Sequence, residues 1–160
     1  MSKQMFASHG EQDTRQIGRD LGIACKPGDM ILLHGDLGVG KTIFTKGFAE
    51  GIGVREPVVS PTYTIVQVYE DGRLPLYHFD VYRIADIEEM EEIGYEDYFY
   101  GDGVCLVEWA ELVTEILPER CVEVTISKNR EQDSDYRDIC IEDGSPSNNR
   151  TVDRTAIIDK

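Results

Sequence analysis

Hydrophobic positions along the chain change period several times, and each change marks an element. Ile17, Leu21 and Ala24 recur at helical spacing within residues 12–25, and Pro27-Gly28-Asp29 ends that helix. Met30-Ile31-Leu32-Leu33 is an unbroken apolar run, as in a strand buried on both faces. Residues 42–50 return to the helical period, with Phe44, Phe48 and Ile52 spaced by four, and Gly51 and Gly53 mark the end. Residues 64–69 and 76–80 predict a hairpin that turns at Asp71-Gly72. Asp86 then caps a short acidic helix carrying Ile87, Met90 and Ile93. Val104-Cys105-Leu106-Val107 is a second buried run. Residues 121–126 and 137–141 alternate, and predict a second hairpin around a polar connection. From residue 144 onward Ser, Asn and Asp dominate, so partial disorder is expected there. Neither a repeat nor a domain linker is visible.

With 160 residues and 41% hydrophobic content, the chain suits one domain with one core. Its apolar runs are too short to span a membrane. Met1-Ser2-Lys3-Gln4-Met5 lacks a charged start followed by an apolar signal region, which implies a cytoplasmic location. Four cysteines, at 25, 105, 121 and 140, form no C-x-x-C pair, and none has a histidine at ligand spacing. They read as reduced core thiols, with Cys105, Cys121 and Cys140 inside strands.

Charge changes the picture more. The formal net charge is −15, and residues 84–119 hold twelve Asp and Glu but no Lys, Arg or His. Such a surface repels phosphate backbones, which excludes direct high-affinity binding of nucleic acid. The run is either a solvated helix face or a docking surface for a basic partner. It also carries Met90, Ile93, Tyr95, Tyr98, Phe99 and Tyr100.

The chemistry is concentrated between the first buried strand and the second helix. Gly35-Asp36-Leu37-Gly38-Val39-Gly40-Lys41-Thr42 fits G-x-x-x-x-G-K-[ST], the loop that cradles nucleotide phosphates. Its glycines let the backbone bend without Cβ clashes, so that N–H groups and the helix N-terminus face the phosphates. Lys41 would reach the β- and γ-phosphates, and the Thr42 hydroxyl would bind Mg²⁺. Such a loop needs a carboxylate at the end of a neighbouring strand. Asp80 and Glu108 both follow apolar strand residues and stand where ligands bind in open α/β sheets. Period two places His78, Asp80 and Tyr82 on one face. Ser60 and Thr62 stand where a γ-phosphate sensor is found, though Ser-Pro is also plain turn chemistry. Arg83 is the one base beside Asp80, and either phosphate or the acidic helix could take it. His9 and His34 carry no specific signal.

Several functions use such a loop. A small-molecule kinase would bring lid arginines over the transferring phosphoryl group, and residues 84–119 have none. A GTPase would carry Asn-Lys-x-Asp, which is missing. A nucleotide-binding scaffold with little catalysis also fits the loop.

Five segments together resemble the small bacterial ATPase family of tRNA threonylcarbamoyladenosine biosynthesis, TsaE (formerly YjeE). They are His34-Gly35-Asp36-Leu37-Gly38-Val39-Gly40-Lys41-Thr42, Ser60-Pro61-Thr62-Tyr63-Thr64, His78-Phe79-Asp80-Val81-Tyr82-Arg83, Glu92-Ile93-Gly94-Tyr95-Glu96-Asp97-Tyr98 and Val107-Glu108-Trp109-Ala110. The loop alone is generic; the other four are specific, and the likeness spans roughly residues 5–127. It implies an α/β fold, a single P-loop NTPase-like domain with a mixed β-sheet flanked by helices over residues 1–143, with 144–160 a polar tail. ATP would be the substrate and Mg²⁺ the cofactor. Asp36, Leu37, Gly38, Val39, Gly40, Lys41, Thr42 and the next residue, Ile43, would form the cradle. Lys41, Asp80 and Glu108 would be catalytic, with Thr42 and Glu108 holding Mg²⁺ and Asp80 orienting water or binding the metal. Residues 60–64 would respond to the nucleotide, and Trp109 would sit beside it. Gln12 and Thr14, or Lys128 and Arg130, would lie on the base side.

The resemblance also implies partners: a threonylcarbamoyl transferase subunit and its paralogous scaffold subunit, with tRNA met only indirectly and neither DNA nor membrane involved. Those subunits would move the threonylcarbamoyl group to an adenosine beside the anticodon. The ATPase would not transfer it, but would reset the complex between turnovers.

Overall fold

In the computed structural model, residues 2–36 and 38–144 are described. Buried strands at the centre of the chain assemble first in the logic of the fold, because their side chains are apolar on both faces. Met30–His34 (β2), Val104–Glu108 (β5) and Leu76–Asp80 (β4) run parallel, and β2 also pairs in parallel with Val122–Lys128 (β6). Three antiparallel pairings extend this centre. Val66–Tyr69 (β3) joins β4, Arg137–Asp143 (β7) joins β6, and Ser2–Ser8 (β1) joins β7. The result is one mixed seven-stranded sheet in the order β1-β7-β6-β2-β5-β4-β3.

Helices cover both faces, as parallel strands require. Period two sorts each strand between two cores. Ile31, Leu33, Val104 and Leu106 point to one face, where Glu11–Ala24 (α1) and Lys41–Ile52 (α2) supply Ile17, Leu21, Phe44, Phe48 and Ile52. Met30, Leu32, Cys105 and Val107 point to the other. There Ile87–Glu92 (α3), Tyr95–Phe99 (α4) and the 3-10 segment Ala110–Ile116 supply Met90, Phe99 and Val113. The apolar members of the acidic run are therefore largely used in packing. Met90 and Phe99 are buried, Ile93, Tyr95 and Tyr98 are packed against the same core, and Tyr100 remains exposed. Among the described residues no helix is long and apolar enough to cross a membrane.

Several expectations shift. β1 is absent from the pattern reading, because it is an edge strand without alternation: Phe6, Ala7 and Ser8 are buried in succession while Met5 is half exposed. Gly51 does not end α2; it lies inside the helix, against the Arg19 carbonyl of α1, where any Cβ would clash. Gly53 is the terminator, in a left-handed conformation. β3 begins at Val66 and not at Thr64, since Thr64 and Ile65 both donate backbone N–H to the Pro61 carbonyl in a turn. Cys121 precedes β6, while Cys105 and Cys140 lie within strands, and none of the four cysteines forms a disulfide among the described residues. The expectation for the tail from 145 to 160 lies outside the described residues.

Candidate functional site

The chain leaves β2 at His34, rounds the glycine loop and enters α2 at Lys41. Gly38 (φ 76°) and Gly40 (φ 114°) take backbone angles that side chains disfavour, which lets the loop curl at the sheet's carboxyl edge. The Val39 side chain is buried beneath the loop. Its carbonyl accepts a hydrogen bond from Arg137 Nε at 2.8 Å, and the same guanidinium also donates to the Ser134 and Tyr136 carbonyls. Asp36 is exposed, and its carbonyl accepts the Val39 N–H. Leu37 lies outside the described residues.

Lys41 is buried, with its ammonium 4.3 Å from the centre of the Trp109 ring and 3.9 Å from Glu108 Oε1. A charge removed from water needs such partners. Trp109 itself has a left-handed backbone (φ 64°), a conformation a bulky residue holds only when its surroundings enforce it. Its indole packs on Tyr82, 4.7 Å between ring centres.

β4 and β5 set the two acids side by side: Asp80 and Glu108 are direct partners in the parallel ladder. Period two turns His78, Asp80 and Glu108 to the face on which α2 begins. Tyr82 lies beyond the end of β4, and its contact with Asp80 is through the backbone, N–H to Oδ1 at 3.0 Å. Thr62 Oγ1 donates to Asp80 Oδ2 at 3.5 Å and shares a 2.6 Å hydrogen bond with Ser60 Oγ. Glu108 Oε2 is 2.8 Å from His78 Nε2. A cleft of about 350 Å³ brings Lys41, Thr42, Thr62, Asp80, Glu108 and Trp109 together. Hydroxyl and carboxylate oxygens are the donor set of Mg²⁺, which one or two carboxylates hold together with phosphate oxygens. Among the described residues no group of three His, Cys, Asp or Glu could hold a metal alone, so Thr42, Asp80 and Glu108 fit an ion whose shell a phosphate ligand completes.

A second cleft, of about 590 Å³, opens on the α1 side of the same loop. Gln12, Thr14 and Ile43 line it. The Thr14 hydroxyl is 2.7 Å from Ser8 Oγ, so it ties the start of α1 to β1. His9, Asp135 and Arg137 line this cleft too, although no local pattern singles them out. They come from the β1–α1 junction, the β6–β7 connection and the first residue of β7, which only the tertiary fold joins. His9 packs edge-on against Tyr136, 5.3 Å between ring centres. Lys128 and Arg130 are not brought to either cleft; both are exposed at the end of β6. Among the described residues Arg83 pairs with no carboxylate of the acidic helix. Its guanidinium lies 4.6 Å from the centre of the Tyr63 ring. His34 is structural, 2.9 Å from Glu123 and 3.5 Å from Glu111.

The family model described as "Threonylcarbamoyl adenosine biosynthesis protein TsaE" matches residues 8–139. A Bacillus subtilis tRNA threonylcarbamoyladenosine biosynthesis protein TsaE is 52% identical over 117 residues, 73% of each chain. Its Treponema pallidum counterpart is 44% identical over 119 residues, 74% of this chain and 87% of that one. Among solved structures, YdiB of Bacillus subtilis superposes with a TM-score of 0.75 at 40% identity, covering 90% of this chain and 87% of the other.

Proposed function

The chain belongs to the TsaE family of threonylcarbamoyl adenosine biosynthesis proteins, and we propose that it is the family's ATP-binding, Mg²⁺-dependent ATPase. In this reading it works in the cytoplasm on the threonylcarbamoyl transferase subunit and its paralogous scaffold subunit. It does not transfer the group itself. One observation carries the reading: the buried ammonium of Lys41 faces two neighbouring strand-end carboxylates, Asp80 and Glu108, across a cleft bordered by the glycine loop.

Each residue then has a defined task. Backbone N–H groups of the loop and the start of α2 bind phosphate oxygens. Lys41 exchanges Glu108 and Trp109 for the β- and γ-phosphates. Thr42 and Glu108 would hold Mg²⁺, which supplies neutralisation of the charge on the bridging phosphate oxygens. Asp80 accepts a hydrogen bond from the attacking water and orients it toward the γ-phosphorus. Thr62, already on Asp80, senses whether a γ-phosphate is present, and its segment changes arrangement accordingly. Gln12, His9 and Arg137 border the space left for the nucleoside. Turnover by the chain alone is slow, because Arg137, the arginine that lines the second cleft, is committed to backbone carbonyls, while Arg83 lines neither cleft and rests on Tyr63. The partners complete the site. The carboxylate-rich face of α3, α4 and the 3-10 segment suits a basic partner surface, and leaves tRNA contact to those partners.

Phosphate release from ATP and Mg²⁺, with and without the two partners, tests this. Stimulation by the partners is the expected result. Lys41→Ala loses nucleotide affinity, while Asp80→Ala loses turnover and keeps most of its affinity. Preference for GTP, or phosphorylation of an added metabolite, overturns the reading.

A further inference from the structure

Glu108 presents its two oxygens to different neighbours. Oε1 faces Lys41 Nζ at 3.9 Å, on the phosphate side of the cleft. Oε2 is engaged by His78 Nε2 at 2.8 Å. An ionised carboxylate only accepts, so His78 donates through Nε2. The ring is 3% exposed, and its other nitrogen, Nδ1, is buried with no hydrogen-bond partner among the described residues. Glu108 is therefore the one group that rewards placing an imidazole there. The neighbouring β4 residues Leu76 and Phe79 are fully buried hydrocarbons, and a third would have packed without leaving a polar atom unmet.

From this we infer that His78 is a positioning residue that makes Glu108 a one-oxygen ligand, and so favours Mg²⁺ over Ca²⁺ in the nucleotide site. The inference rests on the reading of Glu108 as a Mg²⁺ ligand. Mg²⁺ accepts a single oxygen from each carboxylate within a tight octahedron, whereas the larger Ca²⁺ readily takes both. With Oε2 held by His78, only Oε1 is free to turn toward a cation beside the phosphates. Without that hydrogen bond the carboxylate can rotate and offer both oxygens. Neighbouring groups that tie ligands in this way are worth 10–100-fold in metal affinity.

The test is the affinity of a non-hydrolysable ATP analogue measured by titration calorimetry in Mg²⁺, in Ca²⁺ and in EDTA. Wild type is compared with His78→Leu, which removes the donor, and His78→Gln, which keeps an N–H at similar reach. His78→Asn, polar but too short to reach Oε2, serves if leucine is not accommodated, and melting temperatures verify folding. The expected result is a Mg²⁺-over-Ca²⁺ preference in wild type that falls by about tenfold in Leu and Asn, recovers in Gln, and leaves affinity in EDTA unchanged. A folded Leu or Asn variant with the wild-type ion preference overturns the assignment of His78 alone, as does a Gln variant that behaves like Leu. A wild type whose affinity ignores divalent ions altogether overturns both this inference and the reading of Glu108 beneath it.

Discussion

Cys105 and Lys41 are both buried, and in each case the surroundings decide the chemistry. Burial pushes the Cys105 thiol up to about 12, and its Sγ donates to the Tyr98 carbonyl at 3.2 Å. Thiolate is the reactive form, so alkylation of Cys105 near neutral pH is expected only after unfolding, which mass mapping with and without denaturant checks. The same shift has a stability consequence. The unfolded thiol ionises near 9.0, the folded one near 12, so its contribution is complete below pH 9 and is lost as pH rises toward 12. Urea midpoints should fall less steeply over that window in Cys105→Ala than in wild type. The acids of the site were legible residue by residue, because Asp80 and Glu108 each terminate an apolar run at a strand end. The bond between His78 and Glu108 was not, since it depends on which two strands are neighbours.

Elements with strong local signals are those the pattern foretells. Asp86 is one: its carboxylate accepts the Glu89 N–H while the Glu89 carboxylate accepts the Asp86 N–H, a reciprocal capping box at the start of α3. Asp86→Ala should cost about 1 kcal/mol in chemical denaturation and leave nucleotide affinity unchanged, because α3 lies on the sheet face opposite α2. Where a signal depends on distant pairing, the pattern is silent. β1 exists because β7 offers it seven partners, not because its own residues alternate. Gly51 looked like punctuation because glycine commonly ends helices; its reason lies on another helix, at Arg19. The second cleft joins the two ends of the chain's described span, so His9, Asp135 and Arg137 had no motif to announce them.

At the scale of the molecule, the sheet divides two unlike surfaces. Carboxylates without a Lys, Arg or His among them crowd the side of α3, α4 and the 3-10 segment, whereas beside α1 and α2 Arg15, Lys46 and Arg55 mix with Glu50 and Glu56. Both clefts open on the α1–α2 side of the sheet edge, and the glycine loop lies between them. The helices there are bound unusually closely. Gly18 and Gly22 of α1 meet the Phe44 and Phe48 carbonyls, and Gly47 and Gly51 of α2 meet the Arg15 and Arg19 carbonyls. With backbone against backbone, the pair has no intervening layer of side chains on which to slide. Gly47→Val should wedge the pair apart and weaken ATP-analogue binding, though Gly47 borders neither cleft; unaltered affinity in a folded variant would contradict this. Both helices begin at the glycine loop, α2 at Lys41 and α1 beside the second cleft, so the pair holds the two clefts at a fixed spacing. On the proposed reading, displacement on hydrolysis is expressed outside that fixed frame, through the irregular segment from residue 57 to residue 65, whose Thr62 hydroxyl reaches the Asp80 carboxylate by one long hydrogen bond while its Ile65 carbonyl accepts the Asp80 N–H.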